Sequence, residues 1–405
     1  MTFLDLKRGV IDASLCTNCG ACVAACPQNL LKISEDVIVP QPRDEPVEQI
    51  EQACGDCNIC HDVCPGRDTG SAESDKVIFG RNRTDVERWT GISQSTYRVM
   101  AKDVDVHEAA SAGGATTGLL ISSLESGLVD ACLVIGRDEK RPWVPVPRLI
   151  STKRELIETA QASYCLTPNL QLLRDSPYKR IAVVGLACQI QAIRKWRRVD
   201  PDGPVSKIFL IIELACASNT LRSGTEHLIE DRLRLPLTDI TRMRYRDGPY
   251  PGEFTVWDQE EEKHSLPFHE LVLAFKEHKT FRCLSCPDWW SGLADVSVSD
   301  GDANIFKTSR EGVNAGDSTH KLSLLVTRTD RGVEAVNRAA SRGDLELTPG
   351  EFIPEESLGL QRKRHRYASY ARRHPGDVPS APIDGAEVDQ PLEDLDVISG
   401  LSGPQ

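Results

Sequence analysis

Cys16-Thr17-Asn18-Cys19-Gly20-Ala21-Cys22-Val23-Ala24-Ala25-Cys26-Pro27 and Cys54-Gly55-Asp56-Cys57-Asn58-Ile59-Cys60-His61-Asp62-Val63-Cys64-Pro65 are two copies of one pattern, C-x2-C-x2-C-x3-C-P. Three closely spaced thiolates in each copy suit one [4Fe–4S] cube, and the fourth cysteine of each copy goes to the other cube. The expected ligand sets are therefore Cys16, Cys19, Cys22 and Cys64 for one cluster, and Cys54, Cys57, Cys60 and Cys26 for the second. Two residues between ligands let a tight loop wrap a cube face and aim backbone N–H groups at its sulfurs. The proline after the fourth cysteine stops an ordinary helix from continuing. Zinc would take its four ligands as two separated pairs, which neither copy resembles.

Fourteen cysteines in 405 residues are too many for chance and sit in too long a chain for a secreted disulfide scaffold, so they imply metal clusters in a reducing, cytoplasmic setting. The length allows two or three domains with an ample core. A net charge of −12 argues against nucleic acid as the main partner. The first eleven residues carry Lys7 and Arg8 and no apolar run, so no signal peptide is expected. No stretch approaches the ~18 apolar residues of a membrane span. The sequence is compatible with an oligomer.

Outward from the cysteine runs, residues 1–70 form the expected dicluster unit, with a short strand over 30–39 and a proline-bearing insert before Glu48–Ala53. Residues 71–92 are polar and glycine-containing and read as a linker. A second domain is expected over 93–350. Its first motif is the small-residue stretch from Ala109 to Gly118, which feeds a helical run over 119–126. A glycine loop opening a helix cradles phosphates, but small residues also simply pack helices closely, and the motif alone leaves both readings open. The strand Ala131–Gly136 follows, then helical runs over 153–162 and 166–174. Buried strands are expected over 180–185 and 207–214, with a helix over 187–196 between them. Strands over 294–298 and 321–327 and a helix over 332–341 close the domain. Cys188 and Cys216 fall just past the ends of neighbouring strands, and Cys283 and Cys286 lie in a loop before another. These four either converge on one sheet rim, which is the ligand count of a third cubane, or are buried core cysteines. The remainder, 351–405, turns basic at Arg362-Lys363-Arg364-His365-Arg366 and then acidic and proline-rich, and reads as a mobile tail whose charge run is solvated.

Ser111-Ala112-Gly113-Gly114, Val184-Gly185-Leu186-Ala187-Cys188-Gln189-Ile190, Ile212-Glu213-Leu214-Ala215-Cys216 and Arg282-Cys283-Leu284-Ser285-Cys286-Pro287-Asp288, in that order, resemble the family of coenzyme F420 hydrogenase/dehydrogenase beta subunits. That family includes the input subunit of F420H2 dehydrogenase and the plant 7-hydroxymethyl chlorophyll a reductase, and the resemblance runs from Ser93 to about Thr329. It implies FAD as central cofactor, with Ser111, Gly113, Gly114, Thr116, Thr117, Ser163 and Gly185 as binding residues. It also implies a cubane beside the flavin on Cys188, Cys216, Cys283 and Cys286. Twelve of the fourteen cysteines are then ligands, leaving Cys132 and Cys165 to the core. The segment Gln161-Ala162-Ser163-Tyr164 lacks the lysine that the family carries there, and Ala187 stands where the family has proline. For acid–base help at the flavin the candidates are Tyr164 and His107.

The expected fold class is α+β / α/β: an N-terminal bacterial-ferredoxin-like dicluster domain followed by a mixed-sheet flavin-binding domain with helices. The expected function is an iron–sulfur flavoprotein oxidoreductase. It exchanges a hydride between coenzyme F420 and FAD and passes single electrons through [4Fe–4S] clusters to ferredoxin or a partner subunit. Two alternatives are a ferredoxin-dependent reductase of a conjugated organic substrate, as in the chlorophyll branch, and a non-catalytic electron-transfer subunit of a larger complex.

Overall fold

The computed structural model describes residues 2–35, 37–44, 46, 49–311 and 321–381. In the cysteine-rich part, β1 (Leu31–Lys32) pairs antiparallel with β2 (Gln41–Pro42) between short helices at Ala21–Ala25 and Ile50–Cys54. The strand expected over 30–39 is thus only two residues long, and Glu48 lies outside the described residues.

The centre of the molecule is one mixed sheet. Its strands are β3 (Ser95–Ala101), β4 (Ala131–Arg137), β5 (Pro145–Ile150), β6 (Ile181–Leu186), β7 (Ile208–Leu214), and, beyond a smaller sheet of β8 (Arg242–Asp247), β9 (Glu253–Trp257) and β10 (Lys263–Pro267), β11 (Val296–Asp300), β12 (Ser323–Thr327) and β13 (Leu345–Pro349). The order is β13-β3-β12-β11-β7-β6-β4-β5, with β11, β7, β6 and β4 mutually parallel and antiparallel neighbours on both flanks. Ile-Ala-Val-Val in β6 and Ile-Phe-Leu-Ile-Ile in β7 are continuous apolar runs because both faces of a parallel sheet are covered.

Alternate residues show what covers each face. Ile181, Val183 and Ile211 join one cluster with the helix Ala187–Val199 and the cysteine-rich part, through Ile190, Trp196, Val23 and Leu15. Ala182, Leu210 and Ile212 join another with the helices Ala115–Glu125 and Asp330–Arg342. The N-terminal unit is therefore a layer of the fold, not a tethered module. Gly20 shows how close the layers come: its φ is +82°, and a Cβ there would lie 2.8 Å from the Pro168 carbonyl oxygen. Leu170 N–H donates to the Cys19 carbonyl across this seam at 3.1 Å.

Two expectations are corrected here. The stretch 71–92 is not a linker: Ser71–Phe79 is a helix, and Arg83 makes a two-pronged bond to Asp75 at 2.7 and 2.9 Å, both side chains fully buried. Its polar composition records an interior ion pair. Nor is 351–381 a mobile tail, since Leu358–Arg373 is a helix with Leu360, Lys363, His365 and Tyr367 buried. Its apolar side packs with Trp89 and Trp289, and Ser380 is bonded to Arg67 and Thr69 of the N-terminal layer. Residues 382–405 lie outside the described residues. Among the described residues no helix is long and apolar enough to cross a membrane.

Candidate metal and cofactor centres

Two cavities lie in the N-terminal layer, and the cysteines divide between them across the two runs. Cys16, Cys19, Cys22 and Cys64 line one, together with Leu6, Val10 and Ile11. Cys26, Cys54, Cys57 and Cys60 line the other, with Phe3, Leu30 and Leu31. Backbone N–H groups point at sulfur: Asn18 to Cys16 at 3.4 Å, Leu30 to Cys26 at 3.3 Å and Gly66 to Cys64 at 3.4 Å. Burial, reinforced by neighbouring thiols, pushes Cys60 up to about 12, and burial pushes Cys64 up to about 11. Four crowded thiols in an apolar pocket resist ionisation unless a bound cation compensates them, so the donor set fits a cluster core. Cys54 and Cys57 are half-exposed in a loop whose Gly55, Asp56 and Asn58 are exposed, whereas residues 17–20 and 65–66 beside the equally half-exposed Cys16 and Cys64 are buried, which puts the second cavity nearer the surface.

A third set gathers at the sheet. Cys188 opens the helix Ala187–Val199 directly after β6, and Cys216 follows the end of β7. Cys283 lies in the short helix Phe281–Leu284, and Cys286 comes just beyond it. The loop carrying the last two is fixed by the buried Glu213, whose carboxylate accepts from the N–H groups of Ser291 and Gly292 and from the Ser297 hydroxyl. Cys216 N–H donates to the Trp289 carbonyl at 3.0 Å. Burial raises Cys188 well above the ordinary thiol value, and Cys286, Cys19 and Cys216 add to it. Cys216 is pushed up to about 11 by burial, with Cys283 and Cys286 adding to it. The structure thus brings all four together, and it sets them beside Cys19 of the first set. Arg282, 2 % exposed, stands between the two sets. It bonds the Pro65 carbonyl at 3.4 Å and acts electrostatically on Cys16, Cys19 and Cys64 on one side and on Cys188 and Cys286 on the other. Asp288 N–H donates to Cys286 sulfur at 3.5 Å. Cys132 lies inside β4, and Cys165, pushed up to about 12 by burial, also sits in the interior.

The glycine loop has a partly structural explanation. Gly113 passes so close to the sheet that a Cβ would lie 2.3 Å from the Val99 carbonyl oxygen and 2.5 Å from the Ser323 nitrogen. Gly114 takes φ +81° and starts the helix that holds the half-buried Thr116 and Thr117. Ser111 Oγ accepts from Ala162 N–H at 2.8 Å, joining this loop to the segment 161–164. Around that junction several buried polar atoms lack a hydrogen-bond partner among the described residues: His107 Nδ1, Gln161 Oε1, Ser163 Oγ, Arg137 Nη1 and Arg246 Nη2. Native structures seldom leave such groups unpaired. Arg244 donates to the Ala109 carbonyl, Lys321 to the Glu108 carbonyl at 3.2 Å, and Arg137 to the Ala162 carbonyl at 3.3 Å. Burial, then the Arg244 and Arg246 cations, lowers the Lys321 pKa. Asp300 pairs with Arg246 at 2.8 Å and Asp247 with Arg244 at 3.6 Å, and the donors left over, with Lys321, fit an anionic cofactor or substrate. Sequence reasoning missed these four basic residues. The alternation of Arg242, Arg244 and Arg246 along β8 was the available signal.

His107 and Tyr164 are placed differently. Burial, then Lys321, lowers the His107 pKa. The Tyr164 ring packs edge-on to Tyr245 with centroids 5.3 Å apart, and burial pushes its phenol up to about 12 despite the Arg246 cation. No hydrogen bond joins these two among the described residues. Gly185 lies against Gln189 and Ile190 and serves the turn from β6 into the helix.

The chain matches the family model for a "4Fe-4S dicluster domain" over residues 8–76. It also matches both halves of the family described as "Coenzyme F420 hydrogenase/dehydrogenase, beta subunit", the N-term over 96–174 and the C terminus over 178–351. It is 27% identical to the beta subunit of coenzyme F420 hydrogenase from Methanothermobacter thermautotrophicus, covering 69% of this chain and 94% of that protein. To the coenzyme F420-dependent sulfite reductase of Methanocaldococcus jannaschii it is 28% identical, over 90% of this chain and 51% of that one. A chain of the F420-reducing [NiFe] hydrogenase complex from Methanosarcina barkeri shares its fold, with a TM-score of 0.54 at 21% identity, over 72% of this chain and 97% of that chain.

Proposed function

Because the chain belongs to the family of coenzyme F420 hydrogenase/dehydrogenase beta subunits and carries a dicluster iron–sulfur domain, we propose that it is an iron–sulfur flavoprotein oxidoreductase working between coenzyme F420 and a one-electron partner, either ferredoxin or a partner subunit. The observation that carries this reading is the succession of three four-cysteine sets, the first and third joined through buried Arg282, leading from the sheet rim to the half-exposed Cys54 and Cys57.

FAD, when bound, supplies the exchange between hydride and single-electron chemistry, and [4Fe–4S] clusters on the three cysteine sets carry one electron each. The rest is the work of the chain. Ser111 ties the glycine loop to segment 161–164. Arg137 Nη1, Arg246 Nη2 and the Lys321 cation offer donors to an anionic cofactor or substrate at that junction, and Ser163 Oγ and His107 Nδ1 offer further hydrogen bonds. Tyr164 stays protonated at neutral pH and acts there as a hydrogen-bond donor. Glu213 holds the loop of Cys283 and Cys286 rigid against the sheet, which fixes the third set relative to the first. Where the family lysine is missing, Lys321 supplies positive charge from another element, while Arg244 and Arg246 are paired with Asp247 and Asp300.

The test is anaerobic reconstitution with iron, sulfide and FAD, followed by reduced F420 while the visible flavin band is monitored. Rapid bleaching is expected. Bleaching by reduced ferredoxin but not by reduced F420 would overturn the F420 reading in favour of a ferredoxin-dependent reductase of a conjugated organic substrate, for which Ser163 in place of lysine leaves room.

A further inference from the structure

The helix Leu358–Arg373 begins beyond the last residue of the matched beta-subunit segment, 351, and lays basic side chains onto the third cysteine set. Lys363, 2 % exposed, donates to the carbonyl of Cys216 at 2.6 Å and to the carbonyl of Asp288. One turn on, Arg366 donates from Nε to the Leu284 carbonyl at 2.9 Å and from Nη2 to the Ala217 carbonyl at 2.8 Å. Every acceptor is a neutral carbonyl on the segments that bear Cys216, Cys283 and Cys286. The carboxylate of the neighbouring Asp288 receives Gln191 at 2.9 Å. Among the described residues neither Lys363 nor Arg366 has a carboxylate partner at ion-pair distance. An ammonium buried without a counter-ion is strongly disfavoured. Here the anionic groups at hand are the Asp288 carboxylate and the sulfurs of the ligand set, and the two cations bond that set's own backbone carbonyls at Cys216 and Cys283.

We propose that this helix is a counter-charge clamp: resting on the reading of Cys188, Cys216, Cys283 and Cys286 as a cubane site, Lys363 and Arg366 are positioning residues that raise the reduction potential of that cluster. A cubane on four thiolates carries about two negative charges, and reduction adds one electron without making or breaking a bond. Fixed cations bonded to the ligand-bearing backbone stabilise the more negative state, and in a buried site little solvent screens them. The sequence reading of the run Arg362–Arg366 as a solvated face is thereby replaced by a function for two of its members.

The experiment uses the full chain, reconstituted anaerobically, as wild type, Lys363→Met, Lys363→Arg and Arg366→Gln. Iron and acid-labile sulfide are counted, and each cluster is then titrated with EPR detection. Wild type is expected to hold iron for three cubanes. In Lys363→Met one of the three signals should show about a tenfold lower ratio of reduced to oxidised cluster at fixed potential, equivalent to about 59 mV for a one-electron couple. Lys363→Arg should restore it, and Arg366→Gln should move it in the same direction. If Lys363→Met empties the third site, Arg366→Gln decides alone. Three intact clusters with all potentials unmoved in the charge-removing variants overturn the clamp. Iron for only two cubanes in wild type overturns the cluster reading and the clamp with it, and the iron count tells these two failures apart.

Discussion

Gly20 is held at φ +82° with the Pro168 carbonyl oxygen 2.8 Å from where a Cβ would stand, and backbone cannot yield as a flexible side chain can. Gly20→Ala should therefore cost about 1–3 kcal/mol of stability through left-handed strain and a pushed-apart seam. Anaerobic urea denaturation of the holoprotein reads this out, and an unchanged midpoint would mean that the layers are not so closely docked. His107 gives a prediction with a sign. Burial lowers its pKa in the folded state, so the unfolded chain binds the proton more readily. Stability is present above the unfolded value of about 6.5 and falls as pH drops from there toward the lowered folded value. His107→Gln should flatten that part of the stability–pH curve, and an equal slope in both proteins would count against a buried neutral imidazole. Tyr164, lifted to about 12, adds no titration in that range.

At the scale of elements, the crossed cysteine sets make the sharpest claim. Cys64 shares a cavity with Cys16, Cys19 and Cys22, and Cys26 shares one with Cys54, Cys57 and Cys60. Cys26→Ala should therefore disturb the EPR signal of the cluster on the second run and spare the first, and Cys64→Ala should do the reverse. The opposite pairing of losses would show that each run closes its own site. This grouping was legible because spacing of ligands is a local property of sequence. The buried strands β6 and β7 were legible for a related reason: a parallel strand covered on both faces is apolar at every position. What the sequence hid was polar groups whose partners are distant along the chain. Asp75 and Arg83 read as linker because nothing local announces that each neutralises the other in the interior. The helix Leu358–Arg373 read as a solvated tail because Lys363 occupies a buried position between Leu360 and Tyr367 where periodicity asks for an apolar residue. The small sheet β8–β10 carries no motif, and its basic residues acquire meaning only where Arg244 meets Ala109 across 135 residues of chain.

For the whole molecule, the three cysteine sets have an order in space. The set at the sheet rim acts on Cys19 of the first N-terminal set, and that set is in turn linked to the second through Cys60 acting on Cys22. Cys16 and Cys64 of the first set are half-buried as well, but the residues beside them, 17–20 and 65–66, are buried, whereas the loop of Cys54 and Cys57 exposes Gly55, Asp56 and Asn58. The junction of Ser111, Arg244 and Lys321 belongs to the other part of the fold, around β8 and the glycine loop. Under the proposed function the two ends of the molecule do different chemistry: two-electron exchange at the junction, and single-electron exchange with a partner at the second N-terminal set. Damage confined to the far end should then separate the two. Cys57→Ala should leave flavin bleaching by reduced F420 within about twofold of wild type, because no residue of the junction is touched. Electron delivery to an added one-electron acceptor should fall at least about tenfold, a barrier increase of roughly 1.4 kcal/mol. Stopped-flow traces of the flavin and the acceptor in one mixture read both rates. Equal loss of both would mean that the N-terminal set is needed to build the junction, and loss of neither would place the exit for electrons at another set, the rim cluster beneath the Leu358–Arg373 helix being the next in line.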